Sequence, residues 1–372
     1  MTVASALRYG VQQHRFGVNY VPTRAWWDCW NDFDGDAIAR DLDAVAAIGA
    51  DHIRIMLMWP SFQPNPTVVS GAHLQRLDTL MSLAGERDLD VCVTLFVGWL
   101  SGYAYKPPFQ RDDNFYDIPA SGEAQTLYLQ RVAAVASAHA NFMGLDLGNE
   151  LACCWRAPSS AIGDGWSAHM LAQARAHAPG GVHVNGMDHG PWFDVGSFSA
   201  QHLARGQDIV ALHCWPLFTG AIERSGGDAM HARCLHLSAA MTALAKAHAG
   251  DPAKPVWVQE FGMSESWTAG ANVPAFLQAS SESAMAAGAA WFTWWCSHDL
   301  DRSYRFDELE YSLGLIGHDN RIKAAGHAFK ALADAWRGKP VAAGTAAHAP
   351  PPAHTSPDTT WRWLDDWRQA RR

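Results

Sequence analysis

The sequence is poor in charged residues and has no excess of basic ones. Charged side chains make up 17% of its 372 residues, and 37 acidic against 28 basic side chains give a formal net charge of −9. Proteins that bind a phosphate backbone do so through clustered Lys and Arg side chains. We therefore expect no nucleic acid among its ligands.

Cysteines are few and follow no pattern of metal ligands or disulfides. The seven cysteines lack C-x-x-C spacing and stand in a chain large enough to fold without cross-links. The first residues, 1–20, lack the basic start and apolar stretch of a signal peptide, and no apolar run reaches the length of a membrane span. These absences predict free thiols in a cytoplasmic protein without a membrane partner.

Apolar and aromatic residues, in contrast, are abundant. Hydrophobic residues make up 48% of the chain, enough to bury the core of one large domain. The 18 tryptophans are more than a core of this size needs. Their flat rings with a polar N–H are suited to stacking on sugar rings, so we expect about half of them to fill the core and others to bind carbohydrate.

Short apolar runs alternate with helical patterns eight times along the chain. The predicted strands are 16–20, 52–57, 90–97, 142–148, 182–187, 209–213, 256–260 and 289–295. The predicted helices are 35–48, 73–87, 122–140, 160–178, 198–205, 229–249, 273–287 and 324–336. Eight strands, each followed by a helix, predict an α/β fold of the closed (β/α)8 TIM barrel type.

The predicted catalytic domain is one uninterrupted unit, residues 1–338. Residues 339–372 are rich in Ala, Pro, Thr and His, a composition typical of a flexible tail. The Trp- and Arg-rich end of this segment, 361–372, leaves two other arrangements open. It can dock as a helix on the barrel or on a second copy of the chain, so a homo-oligomer is among the expected assemblies.

Two glutamates stand at the ends of predicted strands, where a (β/α)8 barrel carries its catalytic groups. Glu150 follows the fourth strand and Glu260 ends the seventh. A single strand-end glutamate is more often a solvated residue or an ion-pair partner. Because these two strands face each other across the barrel mouth, we expect the pair to act on a glycosidic bond, one as acid and one as nucleophile. A separation of about 5 to 5.5 Å would imply retention of configuration.

Two further polar residues fit this chemistry. Arg54 lies inside the second predicted strand, where its charge would be buried and would need a carboxylate partner, for which Glu260 is the candidate. Asn149 directly precedes Glu150, and an amide at this place can hydrogen-bond the sugar 2-hydroxyl.

Together these residues resemble glycoside hydrolase family 5, in the clan of (β/α)8 glycosidases with acid and nucleophile on strands four and seven. The resemblance spans about residues 15–337. Asn149-Glu150 matches the clan's Asn-Glu pair, and Glu260 matches its nucleophile. Arg54 matches the arginine that supports that nucleophile.

The resemblance also assigns roles at strands six and eight. His213 ends the sixth strand, where the clan often has His or Tyr near the nucleophile. Trp294 and Trp295 close the eighth, where the family carries a tryptophan that forms the floor of the subsite for the nonreducing sugar. Strand alternation allows only one of the two to face inward.

Three segments, 16–22, 59–64 and 294–299, are similar to subfamily 18 of this family, whose members are exo-β-mannosidases. This similarity implies double-displacement removal of terminal β-mannose from short oligosaccharides such as mannose-β-1,4-N-acetylglucosamine. It implies neither a cofactor nor a metal.

An exo-acting site needs a pocket closed at one end, with polar groups that fix one sugar. His298 and Asp299 are predicted to supply such groups, with a hydrogen bond inside the loop as the alternative. Trp27 and Trp99, after the first and third strands, are predicted platforms at the rim.

Three other functions stay open at this point. An endo-acting β-mannanase or β-glucanase would use the same glutamates in an open cleft. A metal-dependent barrel hydrolase is suggested by 18 histidines, although no H-x-H follows the first strand. A noncatalytic carbohydrate-binding barrel is the third, and the presence of both glutamates argues against it.

Overall fold

Eight parallel strands form the centre of the structure, a computed structural model that describes residues 10–267, 272–306, 308–342, 349–353 and 355–371. The strands are β1 Arg15–Asn19, β2 His52–Met56, β3 Asp90–Val97, β4 Phe142–Asn149, β5 Val184–Gly186, β6 Val210–His213, β7 Val256–Phe261 and β8 Trp291–Trp294. Every residue in them is buried, as expected for parallel strands covered on both faces.

The strands form a nearly closed ring. Their hydrogen-bonded order is β5-β4-β3-β2-β1-β8-β7-β6. Between the two outer strands, the backbone N–H of Asp208 donates to the carbonyl of His183 at 3.2 Å, and the Asp208 carboxylate accepts from the His183 N–H at 2.9 Å. The predicted (β/α)8 barrel is thereby confirmed.

In the described part of the chain, seven helices connect successive strands, an eighth follows β8, and together they cover the outside of the ring. They are α1 Gly35–Ala47, α2 Gly71–Gly85, α3 Ile118–Ala136, α4 Ser160–His177, α5 Ala200–Gly206, α6 Leu237–Ala249, α7 Val273–Ala286 and α8 Ala324–Trp336. In α1, Asp34 caps the first turn by accepting from the Ala37 N–H, and Ile38, Leu42 and Val45 form the buried face. The helix predicted over 229–249 is divided, since Ala232–Leu235 forms a separate turn.

Short elements follow the carboxyl ends of the strands and build the barrel mouth. After β3 comes a hairpin, Trp99–Leu100 with Tyr103–Ala104. The other short elements are the helices Trp59–Phe62, Gly190–Phe193 and Ala232–Leu235 and the 3-10 turns Trp26–Trp30, Leu151–Cys153, Glu223–Ser225 and Arg302–Tyr304. Catalytic groups of barrel enzymes lie at this end.

The C-terminal segment differs from the expected flexible tail. Pro357–Gln369 forms a helix, α9, that begins with a capping box at Ser356 and contacts both Gly190–Phe193 and α6. Trp361, Leu364 and Trp367 are buried on one side of it. These residues follow one another at intervals of three positions, which gives the helix an apolar face. The composition of the whole segment does not reveal this spacing. Residues 343–348, 354 and 372 lie outside the described residues.

The structure also bears on the predictions about the cysteines and about a membrane span. All seven cysteines are free thiols; five of them are buried and Cys153 is exposed. Within the described ranges, no helix combines the length and apolarity needed to cross a bilayer.

Candidate active site

Glu150 and Glu260 meet at the barrel mouth. One oxygen of each carboxylate and one ring nitrogen of His213 all lie within 4.8 Å of one another. The glutamate side chains are 12% and 4% exposed. Strands four and seven thus bring two carboxyl groups, distant in sequence, close enough to act on the two atoms of one substrate bond.

The backbone of Glu150 adopts an uncommon conformation. Its φ is +52°, in the left-handed region that non-glycine residues avoid at a cost of about 1–2 kcal/mol. Its N–H donates to the carbonyl of Gly186 at 2.9 Å, which ties the turn to β5. The turn directs the chain from β4 into Leu151–Cys153, and it aims the carboxyl group toward the mouth. Such positions are typical of functional sites.

Arg54 is fully buried and donates all five of its N–H groups. One NH1 hydrogen goes to Glu260 Oε1 at 2.7 Å, the predicted ion pair, and the other goes to Asn19 Oδ1 at 3.0 Å. Nε and NH2 donate to Asp146 Oδ2 at 2.9 and 2.7 Å. The last donor reaches Asn149 Oδ1 at 2.7 Å. The guanidinium therefore fixes residues of β1, β4 and β7 at once.

Glu260 is surrounded by groups that favour its charged form. Besides the bond from Arg54, its Oε2 accepts from Trp215 Nε1 at 3.2 Å. Burial raises the pKa of Glu260, and the positive charge of Arg54 opposes the rise. The two donors make Glu260 the better stabilised carboxylate of the pair.

Glu150 has a different environment. Burial raises its pKa to about 8, the charge of Asp188 contributes to the rise, and Arg54 opposes it. No charged group donates to Glu150 in the contacts described for it. Near neutral pH Glu150 is therefore a protonated acid.

The hydrogen bonds of His213 also indicate that Glu150 carries the proton. Its Nδ1 lies 2.8 Å from Glu150 Oε1, and its Nε2 lies 3.0 Å from Gln259 Oε1. Since the Gln259 amide donates to Asp146 Oδ2 at 3.4 Å, Gln259 Oε1 accepts from Nε2–H. Burial lowers the pKa of His213, so the ring is neutral and Nδ1 carries no hydrogen. The hydrogen in the contact at Nδ1 belongs to Glu150.

The same three residues are also the donor set of a metal site. Glu150, His213 and Glu260 offer one ligand atom each within 4.8 Å. However, both ring nitrogens of His213 already take part in hydrogen bonds, and Arg54 and Trp215 occupy the two oxygens of Glu260. This arrangement favours a proton rather than a metal ion between the side chains.

A cavity of about 380 Å³ opens directly on both carboxyl groups. Its size lies in the range of small-ligand sites. Aromatic side chains form much of its wall, as sugar-binding sites require: Trp99, Trp215, Phe218, Trp267, Trp295 and Phe306. Asn149 lines it as well, beside Glu150.

The structure separates the adjacent tryptophans at the end of β8. Trp295 lines the cavity, whereas Trp294 is fully buried and donates to the carbonyl of Leu313 at 2.9 Å. Strand alternation sends them to opposite sides. Trp99, 40% exposed, also lines the cavity.

Three other predicted sugar contacts lie away from the cavity wall. Trp27 is buried behind Trp295, with ring centroids 6.4 Å apart. His298 bonds to Ser297 and Asn320 at 3.0 and 2.9 Å. These contacts fit the alternative given above, a hydrogen bond within the fold.

Asp299 is likewise engaged by partners within the fold. It pairs with Lys323 at 2.9 Å and accepts from the Gly314 N–H at 2.8 Å. The cation and the backbone donor let this carboxylate connect the segment after β8 with the segments that contain Gly314 and Lys323.

Several cavity residues were missed by the sequence analysis. Asp188 and His189 follow β5 and Trp215 follows β6, so the strand-end rule that found Glu150 could have found them. Trp267 and Glu310 come from longer loops, whose course has no local sequence pattern.

Solved structures resemble the chain over most of its length. A glycoside hydrolase family 5 subfamily 18 protein from Streptomyces cattleya in complex with GlcNAc is 35% identical, with 88% of this chain and 81% of that chain covered and a TM-score of 0.83. A glutamate-to-alanine variant from the same organism in complex with Manβ1-4GlcNAc is 32% identical, with 96% and 92% covered and a TM-score of 0.87.

A third structure, an exo-β-1,4-mannosidase from Opitutaceae bacterium strain TAV5, is 25% identical. The match covers 90% of this chain and 62% of that chain, with a TM-score of 0.73. Neither a protein-family model nor a curated protein matches the chain.

A (β/α)8 barrel with these relatives and this pair of strand-end glutamates is a glycoside hydrolase. The chain belongs to subfamily 18 of glycoside hydrolase family 5. The resemblance seen in the sequence motifs is thereby confirmed.

The raised pKa of Glu150 predicts a pH-dependent effect on stability. The folded protein holds the proton of Glu150 up to about pH 8, whereas the unfolded chain releases it near the ordinary pKa of 4.5. The free energy of unfolding should therefore decrease as pH rises from about 4.5 to about 8. In the Glu150→Gln variant the side chain at this position cannot ionise. The Tm of the variant minus the Tm of the parent should therefore be larger at about pH 9 than at about pH 5.

Differential scanning calorimetry at both pH values measures this difference. Glu282→Gln, an exposed position on α7, is the matched control and should shift Tm equally at both. A pH-independent Tm difference for Glu150→Gln would contradict the assignment of the proton.

Proposed function

We propose that the protein is a retaining exo-β-mannosidase that removes terminal β-linked mannose from short oligosaccharides such as Manβ1-4GlcNAc. The proposal is carried by one observation, the approach of Glu150 and Glu260 to within 4.8 Å at the floor of a cavity. Inverting glycosidases hold their carboxyl groups about 6.5–9.5 Å apart to admit a water, whereas retaining ones use about 5–5.5 Å.

In this proposal Glu260 is the nucleophile. Donors from Arg54 and Trp215 keep its carboxylate charged and oriented. Its oxygen attacks the anomeric carbon, the glycosidic C–O bond breaks, and a glycosyl ester forms on Glu260.

Glu150 is the general acid and base. Its proton passes to the departing glycosidic oxygen, so the leaving sugar departs as a neutral alcohol. The Glu150 carboxylate then takes a proton from the water that attacks the glycosyl ester, which returns free Glu260 and mannose. His213 Nδ1, which accepts from Glu150, keeps the acid's hydrogen oriented between turnovers.

Asn149 is proposed to contact the sugar 2-hydroxyl. Its Oδ1 accepts from Arg54 at 2.7 Å, and one hydrogen of its Nδ2 goes to the carbonyl of Trp99. The second amide hydrogen is available for the hydroxyl beside the reacting carbon. Trp295 is proposed to stack on the terminal mannose.

Exo action is supported by an aromatic wall across the mouth. Ring centroids of Trp26 and Phe306 lie 5.1 Å apart, and those of Tyr103 and Phe306 lie 5.3 Å apart. These rings join the loops after β1, β3 and β8, and Trp27 connects them to Trp295. A wall behind Trp295 suits a pocket for one terminal sugar, and an endo-acting mannanase would need this place open. The printed names of the relatives, which include a Manβ1-4GlcNAc complex and an exo-β-1,4-mannosidase, support the same substrate class.

A substrate panel tests this function. Nitrophenyl β-mannoside and Manβ1-4GlcNAc should be hydrolysed, other nitrophenyl glycosides and polymeric mannan should be poor substrates, and a chelator should have no effect. Glu260→Gln should lose activity by about 10⁴-fold or more, because it removes the nucleophile. Glu282→Gln is the control and should keep parental activity.

Other outcomes of this panel identify the alternatives. Internal cleavage of mannan would indicate an endo-enzyme, and loss of activity with chelator would indicate a metal hydrolase. Binding of oligosaccharide without any hydrolysis would indicate a noncatalytic barrel.

The two carboxyl groups predict a bell-shaped dependence of kcat/KM on pH. Activity should fall as pH rises through about 8, because Glu150 loses the proton it must donate. It should also fall on the acidic side as Glu260, whose pKa is raised, becomes protonated.

Glu150→Ala separates the two limbs. With dinitrophenyl β-mannoside, whose leaving group needs no protonation, this variant should retain the acidic limb and lose the alkaline one. An alkaline limb that persists in Glu150→Ala would show that this limb does not report the ionisation of Glu150.

A further inference from the structure

The C-terminal helix α9 packs on two loops of the barrel mouth. Thr360 Oγ1 donates to the carbonyl of Trp192, in the loop after β5, at 3.2 Å. Trp361 Nε1 donates to the carbonyl of Thr219, in the loop after β6, at 3.1 Å. The Trp361 ring also contacts Phe193, with centroids 5.4 Å apart. One buried tryptophan thus touches both loops.

Charged contacts strengthen the attachment to the loop after β6. Arg233 and Asp365 form a two-point pair, with Nε to Oδ1 at 3.1 Å and NH2 to Oδ2 at 3.0 Å. The guanidinium carbons of Arg224 and Arg233 lie 5.5 and 5.9 Å from the centroid of the Trp361 ring. The geometry of α9 relative to this loop is therefore specified by several independent contacts.

The same two loops supply walls of the catalytic cavity. Asp188 and His189 directly precede Gly190–Phe193, and the His189 ring contacts Phe193 with centroids 5.6 Å apart. Phe218, which lines the cavity after β6, directly precedes the residue that Trp361 binds. The helix lies behind these walls, not in the cavity.

A chain of hydrogen bonds leads from α9 to Glu260. Thr219, whose carbonyl accepts from Trp361, donates its own Oγ1 and N–H to the carbonyl of Trp215 at 2.7 and 3.1 Å. Trp215 Nε1 in turn donates to Glu260 Oε2 at 3.2 Å. Only two residues separate Trp361 from the carboxylate.

We propose that Trp361 is a positioning residue of the active site, which holds Thr219 and thereby keeps Trp215 against Glu260. Through Phe193 it also steadies the cavity wall at His189. This inference rests on the proposed function, because its kinetic readout is the hydrolysis of Manβ1-4GlcNAc. The segment whose composition is typical of a flexible tail is in this view part of the catalytic architecture.

A matched pair of variants tests the proposal. Trp361→Phe keeps an aromatic ring but loses the donor to Thr219. Trp363→Phe, on the same helix, loses instead a donor to the carbonyl of Pro350 at 3.0 Å, away from the mouth. Trp361→Phe should lower kcat/KM for Manβ1-4GlcNAc by up to about fivefold, the factor reached if the full net contribution of one hydrogen bond is lost from transition-state stabilisation.

The pH profile distinguishes positioning from a merely structural role. If Trp215 loosens, Glu260 loses a donor that favours its charged form, so the acidic limb of kcat/KM should move to higher pH in Trp361→Phe. Trp363→Phe should keep the parental limb. Asp365→Asn weakens the ion pair with Arg233 and should move the acidic limb of kcat/KM in the same direction by a smaller amount. It is the replacement test if Trp361→Phe does not fold.

Hydrogen exchange gives a readout that needs no activity. Backbone amides of residues 215–222 should exchange faster in Trp361→Phe than in Trp363→Phe. Equal kinetic constants and equal acidic limbs in the two variants would overturn the proposal. If the parent protein hydrolyses no β-mannoside, the proposed function fails instead, and equal exchange in the two variants then overturns the positioning role.

Discussion

The buried guanidinium of Arg54 is the interaction around which the rest of the site is arranged. An uncompensated charge at this depth would destabilise the fold by several kcal/mol, so its acceptors must be in place when the barrel closes. Those acceptors are Asp146 and Asn149 on β4, Glu260 on β7 and Asn19 on β1. Satisfying one cation therefore brings the ends of four strands, including β2 itself, into a fixed relation. The catalytic geometry follows from a folding requirement.

The same arrangement makes two identical side chains chemically different. Glu260 receives donors from Arg54 and Trp215, whereas Glu150 faces the lone pair of a neutral His213. Donors stabilise a carboxylate and an acceptor stabilises a carboxylic acid. A glycosidase that forms a covalent intermediate needs one of each at the same pH. Gln259 determines that Glu150 carries this proton. Its amide donates to Asp146, so its oxygen accepts from His213 Nε2–H and leaves Nδ1 of His213 as an acceptor.

How far the sequence could predict this site depends on where each residue lies. Glu150, Glu260, Arg54 and His213 stand in or next to buried strands, where a polar residue is conspicuous and the direction of its side chain is set by the barrel. Asp146, between Leu145 and Leu147, carried the same signal and was overlooked.

Residues of the loops could not be predicted in this way. His298 and Asp299 follow β8, yet Asn320 and Lys323, more than twenty positions along the chain, hold them within the fold. Trp267 and Glu310 reach the cavity only because their loops pack over the mouth. The eight strands and helices were predictable because periodicity is local, and the docking of α9 was not, because its partners Thr219 and Trp192 lie far away in sequence.

The central claim is that the Glu260 carboxylate, held by Arg54, forms a bond to the sugar. A 2-deoxy-2-fluoro-β-mannosyl fluoride tests it directly, because fluoride leaves readily while the fluorine at C2 slows hydrolysis of the glycosyl ester. Mass spectrometry of the digested protein should find one fluoromannosyl group, on the peptide that contains Glu260, and inactivation should follow its formation. A label on Glu150, or turnover without any covalent adduct, would contradict the account.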